Sequence, residues 1–76
     1  MEYYERIKNL RIDHDKTQEQ IAVVLNTSRG QIGRYERGEQ EMPIHHLITL
    51  CQYYHVSADY ILGLPNGLPY GLSKTK

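Results

Sequence analysis

The chain has no tryptophan, no phenylalanine, a single cysteine and no excess of either charge. One cysteine cannot close an internal disulfide, and Cys51 falls on the apolar stripe of a helical segment, so the pattern implies a buried thiol in a reducing, cytoplasmic setting. Uninterrupted apolar runs are a few residues long, far short of the roughly 20 that a membrane span requires, and no signal peptide is evident. No membrane association is expected. With no other aromatics the ring content rests on seven tyrosines; Tyr3, Tyr35, Tyr54 and Tyr60 fall at core-facing or half-buried positions, which argues against a platform for stacking bases. A chain of 76 residues buries only about 60% of its unfolded surface, enough for one modest core but not for an active-site cleft of ordinary size. No nucleophile, base and orienter stand at a working spacing and no glycine-rich phosphate loop occurs, so no enzyme, no cofactor and no small-molecule ligand are expected. His45, His46, Cys51 and His55 can each ligate a metal, and Cys51 and His55 are one helical turn apart. Yet Cys51 continues the core stripe of Leu47, Leu50 and Tyr54, so no metal site is expected.

What the chain does have lies between Thr17 and Gly38, TQEQIAVVLNTSRGQIGRYERG. Two short amphipathic segments each carry their own start signal, and too few residues separate them for anything but a tight turn. Thr17 can N-cap the first, with Gln20 completing a capping box, and Ile21, Ala22 and Leu25 then share one face. Ser28 repeats the pattern with Gln31. From Ser28 the second helix turns Ile32 and Tyr35 inward and leaves Arg29, Gly30, Gly33 and Arg34 on the opposite face, with Gly38 as a left-handed C-terminal cap. This spacing predicts a helix-turn-helix, a motif whose second helix can be presented to a DNA major groove.

Helical periodicity covers the flanks as well. Tyr3, Ile7, Leu10 and His14 mark a first helix over about Glu2 to His14, and a fourth starts near Pro43 and runs to about Tyr54. Ser57 caps a short fifth that Gly63 ends. Beyond it the character changes to Gly63-Leu64-Pro65-Asn66, Gly67-Leu68-Pro69-Tyr70, Gly71-Leu72-Ser73-Lys74, a decaying four-residue repeat that proline keeps out of helix.

These residues resemble the repressor-type (Cro-like, XRE-type) helix-turn-helix family. The likeness rests on Ile7, Leu10 and Arg11 in the opening helix; on Thr17, Gln18, Ile21 and Ala22; on Ser28, Ile32, Arg34, Tyr35, Glu36 and Gly38; on Pro43, Leu47, Leu50 and Cys51; and on Val56 to Gly63. It implies an all-α, five-helix, lambda-repressor-like DNA-binding domain over residues 1–63, with an extended tail over 64–76. Asn26 stands where the family usually has glycine, and Asp15-Lys16 where it usually has Gly-Leu; Asn and Asp both tolerate the left-handed turn. The resemblance further implies a transcriptional regulator, a repressor by type, with Arg29, Arg34 and Gln31 reading bases and Gln18, Asn26, Thr27, Ser28 and Arg37 on phosphates. It also pairs Arg11 with an inward-turned Glu36.

The nine basic and nine acidic residues are the main argument against double-stranded DNA as partner, because such binders usually carry a basic surplus. Locally the balance differs: Arg29, Arg34 and Arg37 stand against Glu36 alone between residues 28 and 38. The rival reading is a protein-binding module, antitoxin-like or an adaptor, that keeps the fold without reading DNA. A homodimer that completes itself on DNA is expected, with Ile61, Leu64, Leu68 and Tyr70 as candidates for its interface.

Overall fold

A computed structural model describes residues 2–64; Leu68, Tyr70 and the repeat from Pro65 onward lie outside the described residues. Five helices follow one another: α1 (Tyr3–Asp13), α2 (Gln18–Leu25), α3 (Arg29–Glu36), α4 (Ile44–Tyr54) and α5 (Ala58–Leu62). The starts follow the expected chemistry. Thr17 Oγ1 accepts from the Gln20 amide at 3.1 Å while Gln20 Oε1 accepts from the Thr17 amide at 2.8 Å, so two otherwise orphaned donors are satisfied reciprocally. Ser57 Oγ accepts from the Tyr60 amide at 3.1 Å. At Ser28 only half of the expected box forms: its Oγ accepts from the Gln31 amide at 3.1 Å, but the Gln31 side chain is occupied by Arg34.

All five helices end in the same way. A left-handed residue follows, and the next amide turns back to a carbonyl five residues earlier: Lys16 to Arg11, Thr27 to Ala22, Glu39 to Arg34, Val56 to Cys51 and Leu64 to Asp59, at 2.9–3.1 Å. The left-handed residues are Asp15, Asn26, Gly38, His55 and Gly63. Asn and Asp reach this region more readily than most side chains, so both departures from the family pattern are accommodated. Gly38 is required on two counts, since its φ is +74° and a Cβ there would stand 2.7 Å from the Tyr4 ring. His55, at φ +59°, carries no glycine-like signal in the sequence.

Every helix sends residues into one core: Ile7 and Leu10 from α1, Ile21, Ala22 and Leu25 from α2, Ile32 and Tyr35 from α3, Leu47, Leu50 and Tyr54 from α4, and Ile61 from α5. Ala22, among the smallest of these, is buried on α2, the helix that neighbours α3 and α4. Burying a chain's apolar side chains contributes about 25 cal/mol per Å², and here that contribution is drawn from all five elements.

Four expectations are corrected. Ile61, named as a dimer contact, is 0% exposed; on so short a helix it is the one residue that anchors α5 to the core, and it has no surface left for a partner. Tyr60 beside it is 51% exposed, because Ile61 takes the inward direction. Cys51 is half-buried rather than buried, Leu50 taking the fully inward position; partial desolvation still raises its thiol pKa. Gly33 is buried, covered by the Arg37 guanidinium, so it does not belong to the open face of α3.

Candidate nucleic-acid interface

The α2–turn–α3 unit is fixed from within by one buried carboxylate. Glu36, at the inner end of α3, is 5% exposed. Its Oε2 accepts from Arg11 Nε at 2.7 Å, and its Oε1 from Arg11 Nη2 and Gln18 Nε2, both at 3.1 Å. Arg11 Nη1 donates onward to the Lys16 carbonyl at 2.9 Å. Three segments are thereby tied together: the end of α1, the start of α2 and the end of α3. The Arg11 pKa is raised, first by the hydrogen bond to Glu36 and then by its charge, against the opposing effect of burial. The bidentate fork supplies direction as well as attraction, so it sets the angle at which α3 is held.

With Glu36 turned inward, the outer face of α3 exposes Arg29 and Arg34 and no acid. A depression of about 270 Å³ lies between Gln18, Arg29, Gly30, Gly33 and Arg37. Next to it a second, of about 530 Å³, shares Gln18 and Arg29 and reaches Lys16 and Thr17. The first turns of α2 and α3 therefore open onto one surface, where helix starts carry partial positive charge. Asn26 and Ser28 are exposed and Thr27 half-buried in the turn between them.

Three side chains of this surface are engaged within the protein. Gln18, a phosphate contact by the family resemblance, gives its amide nitrogen to Glu36. Arg37, a phosphate contact by the same resemblance, is forked onto Glu39, with Nε to Oε2 at 2.7 Å and Nη2 to Oε1 at 3.2 Å; this pair is exposed, so solvent screens it and its net worth is small. Gln31 accepts from Arg34 Nη1 at 3.2 Å. The Arg37–Glu39 pair had a signal in the opposite charges flanking Gly38, but only the reversal of the chain at that glycine brings them face to face. Of the metal-capable residues, His46 lies against His45, ring centroids 4.3 Å apart, and 3.1 Å from the Tyr35 hydroxyl. Among the described residues, no three potential ligands gather, and no helix is long and apolar enough to cross a membrane.

Comparison with known proteins gives the same picture. The family described as Helix-turn-helix matches residues 7–61. An uncharacterized HTH-type transcriptional regulator of Bacillus subtilis, YobD, is 39% identical over 62 residues, covering 82% of this chain and 55% of that protein. The antitoxin PezA of Streptococcus pneumoniae is 37% identical over 57 residues, 75% of this chain and 36% of that protein. The chain thus spans about half or less of the curated relatives it matches. Among solved structures, a transcriptional regulator from Listeria innocua superposes with a TM-score of 0.80 at 30% identity, covering 96% of this chain and 68% of the other. The P22 c2 repressor, solved in complex with a synthetic operator, gives 0.75 at 27% identity, with 82% and 94% covered.

Proposed function

Because this chain belongs to the helix-turn-helix family, we propose that it is a sequence-specific DNA-binding transcriptional regulator that acts from the cytoplasm, by binding and not by catalysis, with α3 in the major groove. One observation carries this reading: the only acid on α3, Glu36, is buried and paired with Arg11, which leaves Arg29 and Arg34 as the charges that α3 presents. A chain of zero formal charge thereby offers a local basic face, and the operator complex of the P22 c2 repressor supports the same use of the fold. Arg29 and Arg34 read bases, arginine suiting the O6 and N7 acceptors of guanine. Ser28, Thr27 and Asn26, with the amides that open α2 and α3, hold phosphates. Gln18 contributes to the backbone contact by what its engagement with Glu36 leaves free, and Arg37 by exchanging Glu39 for a phosphate.

The partner arrangement we propose is a homodimer completed on DNA, its half-sites about 34–36 Å apart. Leu64, 49% exposed, is the candidate contact that remains available among the described residues. Sedimentation of the protein with and without its selected duplex checks this, and a strict monomer in both removes it.

The likeness to an antitoxin and the neutral overall charge favour a second reading, a protein-binding module without DNA contact. A salt series on duplex DNA separates the two. DNA contact gives an affinity that falls steeply with salt, by about 0.9 in the log–log slope for each phosphate neutralised, and the rival gives no slope. Arg34→Ala should cost specific binding about 1–3 kcal/mol and relax preference mainly at one base pair per half-site. Equal losses on operator and scrambled duplex would remove Arg34 from base reading.

A further inference from the structure

We propose that Gln31 reads no base itself but positions Arg34, so that the two residues serve a single base pair; this rests on the reading of α3 as the helix that enters the groove. Glutamine recognises adenine by offering both ends of its amide at once, the nitrogen to N7 and the oxygen to the N6 amino group. Neither end of Gln31 is available. Its Nε2 is closed off from solvent and meets no hydrogen-bond partner, and its Oε1 already accepts from Arg34 Nη1 at 3.2 Å.

The arrangement follows from the helix. Ser28 Oγ holds the Gln31 amide at 3.1 Å, which fixes residue 31 in the first turn. Helical side chains lean toward the N-terminus, so that of Arg34, three residues later, leans back over it. Residue 30 clears the other flank: a Cβ there would stand 3.9 Å from Arg34 Nη1, so the guanidinium lies close along the helix surface. An arginine stem is long and rich in rotamers, and holding one of its nitrogens removes part of the freedom that binding would otherwise have to remove. The hold engages Nη1 and leaves the guanidinium edge of Nε and Nη2 for the paired acceptors of guanine.

The test compares base preference on a duplex library for the intact chain and for Gln31→Met, Gln31→Glu, Arg34→Ala and the double variant Gln31→Met/Arg34→Ala, with melting temperatures alongside. Methionine keeps the length and fills the buried space without an unpartnered amide, so melting should hold or rise. Its discrimination should fall by about two- to tenfold, at the same base pair that Arg34→Ala relaxes. The double variant should be no worse than Arg34→Ala alone, as expected of residues that act through each other. Gln31→Glu keeps the acceptor oxygen and should keep the preference while weakening all duplexes alike. A Gln31→Met variant that relaxes a different base pair, or whose loss adds to that of Arg34→Ala, overturns the positioning role and restores Gln31 as a reader. An intact chain with no sequence preference at all overturns the functional reading beneath it as well.

Discussion

Glu36 is the residue on which the motif's geometry depends. A carboxylate 5% exposed is tolerable only because its oxygens are met by the Arg11 fork and the Gln18 amide. Replacing a buried ion pair with apolar residues can be harmless, but removing one partner strands the other. Glu36→Ala should therefore cost about 3–5 kcal/mol, a large part of what a small domain has. Melting temperature and duplex affinity should fall together, because the helix that meets the duplex loses the Arg11 and Gln18 contacts that fix its orientation. Thermal melts and binding isotherms on one preparation check this; unchanged melting would mean that the network contributes little.

At the scale of the element, α3 carries two glycines that look alike in the sequence and differ in the fold. Each should weaken an eight-residue helix by about 0.5–1 kcal/mol relative to alanine. At Gly30 a would-be Cβ would meet only ordinary van der Waals contacts, Arg34 Nη1 at 3.9 Å and Ser28 Oγ at 4.0 Å. Gly33 lies under Arg37, whose Nη1 would be 2.9 Å away. Gly30→Ala should thus raise stability by about 0.5–1 kcal/mol with no other change in the free protein. Gly33→Ala should gain less, since it pushes the Arg37 guanidinium off the helix and off Glu39. Denaturant melts of the two variants give the comparison, and a destabilised Gly30→Ala would show that the site is less open than its geometry indicates. Duplex affinity of Gly30→Ala then separates the two uses of the position: a drop marks close approach of DNA to the helix, and no change marks a residue that is not read.

For the whole molecule, stability as a function of pH should be bounded by two groups packed into the bundle. Burial pushes the Tyr54 hydroxyl up to about 12, helped by the nearby Tyr53 and Glu36 and opposed by Arg11. The folded state therefore keeps a proton that the unfolded chain, with an ordinary tyrosine near 10, has lost. That contribution is complete below about pH 10 and disappears as pH rises through the folded value, for a total of about 2–3 kcal/mol. His46 works in the other direction. Burial and the neighbouring His45 lower its pKa, so its contribution is present above the unfolded value of about 6.5 and is lost as pH falls. Denaturation curves from acid to strongly alkaline pH should show a plateau with both limbs. Tyr54→Phe should flatten the alkaline limb selectively, and an alkaline limb of undiminished size in that variant would assign the loss to other groups.

The order and number of the helices and the N-caps at Thr17, Ser28 and Ser57 could be read from the sequence alone, because these are local matters: the three side chains bond amides three residues away, and apolar spacing chooses a face without regard to what covers it. The pairing of Arg11 with Glu36 is a contact 25 residues apart in the chain, and it was accessible beforehand only through likeness to a family. Tertiary structure alone decided the remainder. It spent Gln18 on Glu36, 18 residues away, and sent Ile61 to the core in preference to a partner, whereas the holds of Gln31 on Arg34 and of Arg37 on Glu39, three and two residues apart, follow from the local course of α3 and its cap. The two tertiary choices, Gln18 on Glu36 and Ile61 in the core, are competitions among polar groups or surfaces for the nearest match, and the winner depends on distances that exist only once the five helices have packed.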